Sequence, residues 1–268
     1  MDASNPNATT PAQFLLGTPA FRTDLYARSS CPKILSVRAY IALVDSLALS
    51  FTPELKTPDA SVPMPFPTTH LNNTALSPSL AAALTNSKNY TQALFAQHLI
   101  DEFKAAGIAP ARVWPQSFLY ADVLYWLEAE PSFGKQAVLL DESADSGPMA
   151  DSIANLTRYA QDGVRIVAPP LPYLVSVGPN GAIVASAYAK RARELGLGIV
   201  TWSLERSGWL GDAERGGYYY ESVKEVVRGE GDVYTLLHVL AQDVGVLGVF
   251  SDWSATVTYY ANCFGLGV

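Results

Sequence analysis

The sequence predicts an α/β fold built on parallel strands, of the (β/α) barrel type, and three observations carry that expectation. Six stretches read as buried strands. Helix-period segments separate most of them. Each strand runs out into polar or aromatic residues at its carboxyl end, where a barrel gathers its reactive groups. The six are Leu49–Lys56 (LSFTPELK), Arg112–Phe118 (RVWPQSF), Gln136–Asp141 (QAVLLD), Val164–Pro170 (VRIVAPP), Leu197–Glu205 (LGIVTWSLE) and Val244–Trp253 (VGVLGVFSDW). A closed barrel of this kind needs eight.

Taken in order, residues 1–32 carry no period and many turn formers, which reads as loop or an extended arm. Lys33–Leu49 places Ile34, Val37, Ile41, Val44 and Ala48 on one helical face ahead of the first strand. Residues 57–89 are rich in Pro, Ser, Thr and Asn and form a long irregular loop. Tyr90–Ala106 follows as an amphipathic helix stopped by Gly107, a residue suited to a left-handed position after a helix. Helix Tyr120–Glu130 ends before Pro131, and helix Met149–Gln161 ends near Gly163. Ala185–Leu195 ends at Gly196, with Lys190, Arg191 and Arg193 near its negative pole. A glycine-rich loop with a tyrosine run (RGGYYYES) precedes a further short helix, and Asp232 can cap helix Val233–Gln242 before the last strand. No domain boundary interrupts residues 1–268.

Bulk properties narrow the function. With 49% apolar and 16% charged residues, the 268-residue chain can bury one large core. A net charge of −7 without Lys/Arg clusters gives no footprint for nucleic acid. No run is long and apolar enough to span a membrane. The opening MDASNPNATTPAQF lacks the basic and apolar regions of a signal peptide. Yet Asn7, Asn72, Asn89 and Asn155 make four glycosylation sequons from nine asparagines, where chance gives on the order of one. Secretion and a merely Thr-rich surface both fit. Cys31 and Cys263 can pair or stay as thiols.

The candidate mouth residues are Glu54, Lys56, Gln116, Ser117, Asp141, Trp202, Glu205, Asp252 and Trp253. Glu54 and Lys56, at positions i and i+2, point to one face of their strand. Such a pair suits a divalent metal beside a phosphate oxygen, and equally a plain salt bridge. Gln116 and Trp202 suit a polar ligand and its stacking, or simple packing. Asp141 and Asp252 can also cap the helices that follow. His98 and His238 fall inside helices and His70 in the irregular loop, so none stands where a general acid or base is needed.

The stretches FTPELK, AGIAPARVWPQSFLYADVLYWLEAEPSFGKQAVLLDE, GVRIVAPPLPYLV, SAYAKRARELGLGIVTWSLERSG and DVGVLGVFSDWSATVTYYANCFGL resemble the glycerophosphodiester phosphodiesterase family in its longer fungal and bacterial form. The likeness runs over most of the chain, with residues 68–89 as the departure. It implies a TIM (β/α)8 barrel that hydrolyses glycerophosphodiesters to sn-glycerol 3-phosphate and an alcohol with calcium or magnesium. It further implies secretion, with Glu54 as a metal ligand, Lys56 as a phosphate contact, Gln116 and Phe118 lining the pocket, and Trp202 against the glycerol. The family's histidine pair and its Glu-x-Asp metal motif belong to the first two βα units. The six strands here correspond to the third through eighth, so the barrel is expected to be incomplete, with no catalytic residue assigned and activity doubtful. Two alternatives stand beside this reading. One is a non-catalytic protein that binds a phosphodiester headgroup or a protein partner. The other is a glycoside hydrolase using Glu54 and Glu205 as its carboxylate pair.

Overall fold

In a computed structural model the described residues are 34–57, 65–67, 89–205, 210–211, 213 and 216–266, together with Asn7, Thr9 and Thr10. Most of the expected arm over residues 1–32 and most of the loop over 57–89, with Cys31, His70 and the Asn72 sequon, lie outside them.

The molecule is a mixed α/β structure around a parallel sheet. Its strands are β1 (Gln116–Ser117), β2 (Val138–Leu140), β3 (Ile166–Ala168), β4 (Gly198–Thr201) and β5 (Gly248–Val249). They lie side by side in chain order, all parallel. The first expected strand is reduced to two parallel bridges, Phe51 to Val113 and Glu54 to Gln116, which place segment 51–54 beside β1. The six stretches read from the sequence thus meet in sequence order. Among the described residues, no pairing joins segment 51–54 to β5.

Alternation along each strand decides what faces where. Phe51, Val113, Leu139, Val167 and Ile199 point outward into the main core, against the helices. Val138, Leu140, Ile166 and Ala168 point the other way and form a second apolar cluster with Trp114, Phe118, Val200 and Trp202. The sheet curls enough for Thr52 of the first segment and Phe250 after β5 to line one cleft with Trp114, Val138 and Val200.

The helices are α1 (Val37–Ser46), α2 (Gln92–Ala105), α3 (Tyr120–Ala129), α4 (Met149–Gln161), α5 (Ala187–Glu194), α6 (Asp232–His238) and α7 (Ser254–Cys263). Most match expectation within a residue or two. The glycine stops are confirmed, with Gly107, Gly163 and Gly196 at φ +70°, +92° and +71°.

Four expectations are corrected. On α1 only Ile41 and Val44 are buried, whereas Val37 is exposed, as is Ile34 ahead of the helix. Ser36 caps α1 three residues later than the predicted start, so the proposed stripe is shorter. The helix predicted at Val233–Gln242 is α only to His238 and continues over Val239–Val244 as a π-helix. Asp232 does not act as the residue before that helix; its carboxylate instead accepts from the Arg228 and Gly229 backbone N–H groups at 2.6 and 3.0 Å. Finally, Ala185 does not start the helix predicted from it: it ends an antiparallel ribbon, Val175–Val177 with Ile183–Ala185, and the helix begins at Ala187.

Candidate functional site at the carboxyl ends of the strands

The parallel pairing places Glu54 and Gln116 side by side, as direct bridge partners. Two residues on, Lys56 brings its ammonium to 2.7 Å from Glu54 Oε1. The lysine side chain is 77% exposed and the glutamate's 23%, so the pair is a screened surface contact rather than a buried bridge. The ammonium sits at pairing distance without hydrogen-bond alignment, since Glu54 Oε1 has no hydrogen-bond partner. Gln116 is 4% exposed; its Nε2 donates to the Thr52 carbonyl at 3.2 Å, while its Oε1 is buried without a partner. A buried acceptor left unmade costs roughly 1–3 kcal/mol, which a ligand's donor would recover.

An aromatic wall stands on the same inner face. Phe118 and Trp202 meet edge to face at 5.9 Å, and Tyr219 meets Trp202 at 5.9 Å. The Trp202 indole N–H donates to the Ala168 carbonyl at 2.8 Å, which fixes the ring across β3. Tyr219 comes from the tyrosine run, whose place beside Trp202 no local pattern announces.

Carboxylates crowd this end of the sheet. Asp141, 3% exposed, accepts from the Tyr188 hydroxyl at 2.6 Å and from the Ser143 hydroxyl at 2.6 Å and N–H at 3.1 Å. It is a structural anchor, and burial together with Asp141 pushes the Tyr188 hydroxyl well above its ordinary range. Glu142 is pushed up by burial and by the charges of Asp145, Asp141 and Glu54, which places these four carboxylates in one field. Asp145 accepts from the Tyr173 and Tyr218 hydroxyls, each at 2.7 Å. Glu205 is raised by burial, partly offset by the Ser251 hydroxyl at 2.7 Å and the Asp252 N–H at 3.1 Å. Ser117 turns outward to Asp122 at 2.8 Å and serves α3, not the mouth. Trp253 immediately precedes α7.

A second cleft of about 460 Å³ opens between α1, α2 and Glu54. There Arg38 grips Glu102 with two bonds of 2.6 and 2.9 Å, and His98 Nε2 lies 3.2 Å from the same carboxylate. The Arg38 bond holds Glu102 below the usual carboxylate range. The sequence sets His98 aside as a helix residue, and it does belong to a helix-to-helix clamp. Among the described residues, no group of three or more His, Cys, Asp or Glu side chains could hold a metal ion.

The fold and this site define an α/β protein with a polar mouth at the carboxyl ends of a curled parallel sheet. No family model matches the sequence. The chain is 42% identical over 268 residues to a protein of Arthroderma benhamiae named "Extracellular protein", an alignment covering 99% of this chain and all of the relative. The chain belongs to the family of that extracellular protein. A solved structure, a putative glycerophosphoryl diester phosphodiesterase from Silicibacter pomeroyi, aligns at a TM-score of 0.40 with 16% identity, over 65% of this chain and 45% of that one. The chain thus spans under half the length of that solved structure. No helix among the described residues is long and apolar enough to cross a membrane.

Proposed function

We propose that this chain is an extracellular protein of the glycerophosphodiester phosphodiesterase type, whose mouth binds a phosphodiester headgroup and hydrolyses it poorly or not at all. The observation that carries the reading is the juxtaposition at the strand ends. Lys56 offers an exposed ammonium to a phosphate oxygen, Gln116 Oε1 and Glu54 offer acceptors to hydroxyl groups, and Phe118 with Trp202 offers an apolar wall to a glycerol backbone. The sequence motifs FTPELK, WPQSF and VTWSLE, which supply these residues, support it. Secretion is supported by the four sequons and by the relative's name.

Weak turnover has a physical basis. Expelling an alkoxide needs a positioned acid, and the two histidines among the described residues, His98 and His238, sit in helices, engaged with Glu102 and Tyr260. Of the raised carboxyls at this end, Glu205 is occupied by Ser251 and the Asp252 N–H, which leaves Glu142 as the candidate acid for whatever turnover remains. Titration of the full chain with glycerophosphocholine by calorimetry tests the reading. Binding that weakens about tenfold in both Lys56→Ala and Trp202→Ala is expected, with turnover at most marginal when calcium or magnesium is added. Absence of binding removes the proposal, and enzyme-like turnover removes its non-hydrolytic part.

A further inference from the structure

The headgroup reading leaves the segments after β2, β3 and β4 unused. They line a cleft of about 660 Å³, within the roughly 300–1,000 Å³ typical of small-molecule sites. Asp145 comes from the turn after β2, Tyr173 from that after β3, and Tyr218, Glu221, Ser222 and Lys224 from the segment after β4. Chain leaving the carboxyl ends of parallel strands is where such folds hold ligands. The cleft shares Asp145 with the carboxylate field of the mouth, and Tyr218 meets Tyr219, the ring against Trp202, at 5.1 Å. Its centre is held in place before any ligand arrives. The Tyr173 hydroxyl donates to Asp145 Oδ1 at 2.7 Å, and the Tyr218 hydroxyl reaches both carboxylate oxygens at 2.7 and 2.8 Å. Tyr173 is buried and meets Tyr188 edge to face at 5.8 Å. A carboxylate accepts at about four positions, so Asp145, which stays exposed, keeps an acceptor for a ligand.

We infer that this cleft binds a neutral polyhydroxylated ring, of the sugar or cyclitol class. Its charges are of both signs: Asp145 and Glu221 repel an anion, and Lys224 repels a cation. A quaternary ammonium, moreover, has no N–H or O–H to offer the two carboxylates. Hydroxyl groups both donate and accept, so they suit all of these partners at once. Asp145 and Glu221 accept from them, while Lys224 and Ser222 donate to them. The Ser222 hydroxyl is buried without a partner, and a ligand oxygen would recover that unmade bond. Met149 and Pro172 supply an apolar patch for the C–H face of a ring. The inference goes beyond the headgroup reading and does not depend on it. Such a ring arrives either as a free saccharide or as the alcohol half of a phosphodiester, and the experiment separates the two.

The full chain is titrated with maltotriose, myo-inositol, glycerophosphoinositol and glycerophosphocholine, and with choline as the cationic control, by calorimetry and saturation-transfer NMR. The ring compounds are expected to bind, and to weaken about threefold to tenfold in Lys224→Ala and in Glu221→Ala, as loss of one hydrogen bond predicts. Both positions are exposed, so folding is not at stake. Ser222→Ala weakens ring binding likewise and leaves the melting temperature unchanged or raised, because it removes an unpaired buried hydroxyl. Free rings that bind equally well to the parent and to Lys56→Ala sustain the inference and mark a saccharide site. Glycerophosphoinositol that outbinds both glycerophosphocholine and myo-inositol, with loss in Lys224→Ala and Lys56→Ala alike, sustains it and marks the ring as the alcohol half. Ring binding without glycerophosphocholine binding sustains the inference and removes the headgroup reading. Glycerophosphocholine binding without any ring compound overturns the inference while the headgroup reading stands, and loss of all binding overturns both. Choline bound more tightly than every ring, or ring affinity untouched in all three cleft variants, also overturns the inference.

Discussion

Gly134 shows how much a single hydrogen atom in place of a methyl group can matter. A Cβ built there would lie 2.2 Å from the Trp126 carbonyl oxygen and 2.7 Å from Leu127 Cα, both backbone atoms that cannot swing away. Trp126 is fully buried and its indole N–H donates to the Ala96 carbonyl at 3.0 Å, so the obstacle is anchored on both sides. Gly134→Ala is expected to destabilise by about 1–3 kcal/mol, read as a lowered urea midpoint at unchanged slope. Glu205 supplies a second residue-scale test, of opposite sign. Its folded-state pKa is raised by burial, so its contribution to stability is fully present below the unfolded carboxylate value and is lost as pH rises through the folded one. Glu205→Gln removes the charge that burial penalises. Its melting temperature relative to the parent is therefore expected to be more favourable at neutral pH than in acid, and a pH-independent difference would refute that account.

At the scale of elements, capping and alternation explain most boundaries. Ser186 begins α5 by accepting from the Ala189 N–H at 3.1 Å, while its own hydroxyl donates to the Tyr173 carbonyl at 2.5 Å. One oxygen therefore ties a helix start to the short helical turn ahead of the antiparallel ribbon. Ser186→Ala is expected to cost about 1–2 kcal/mol, the upper part of the usual cap range, measured by thermal unfolding. The sequence places α3, α4 and the glycine stops because these rest on local chemistry: a Pro after α3, and glycines at positive φ after α2, α4 and α5. It misplaces the start of α1 and the end of α6 for a different reason. Apolar spacing alone cannot say that Val37 faces solvent, or that the turn after His238 widens to a π-helix.

For the whole molecule, the charge balance is a usable handle. With a net charge of −7 and a calculated isoelectric point near 4.9, the chain repels itself at neutral pH. Solubility of the unglycosylated protein is expected to pass through a minimum close to pH 4.9, checked by light scattering across a pH series. A minimum displaced upward by more than about one unit would mean that many carboxyls are raised as Glu142 and Glu205 are.

The order of the parallel strands was legible in the chain, because strands covered on both faces read as near-continuous apolar runs, here each ending in polar or aromatic residues. Glu54, Lys56, Gln116 and Trp202 were legible as strand-end positions, since strand ends converge once the sheet is parallel. Four features needed the tertiary structure: Tyr219 against Trp202, the burial that strands Gln116 Oε1, the turning of Ser117 away from the mouth, and the apolar cleft beneath. Periodicity reports which side of an element is apolar. How far the sheet curls, and so which inner faces meet across it, depends on residues up to about two hundred positions apart in the chain, as with Thr52 and Phe250 on the two sides of one cleft.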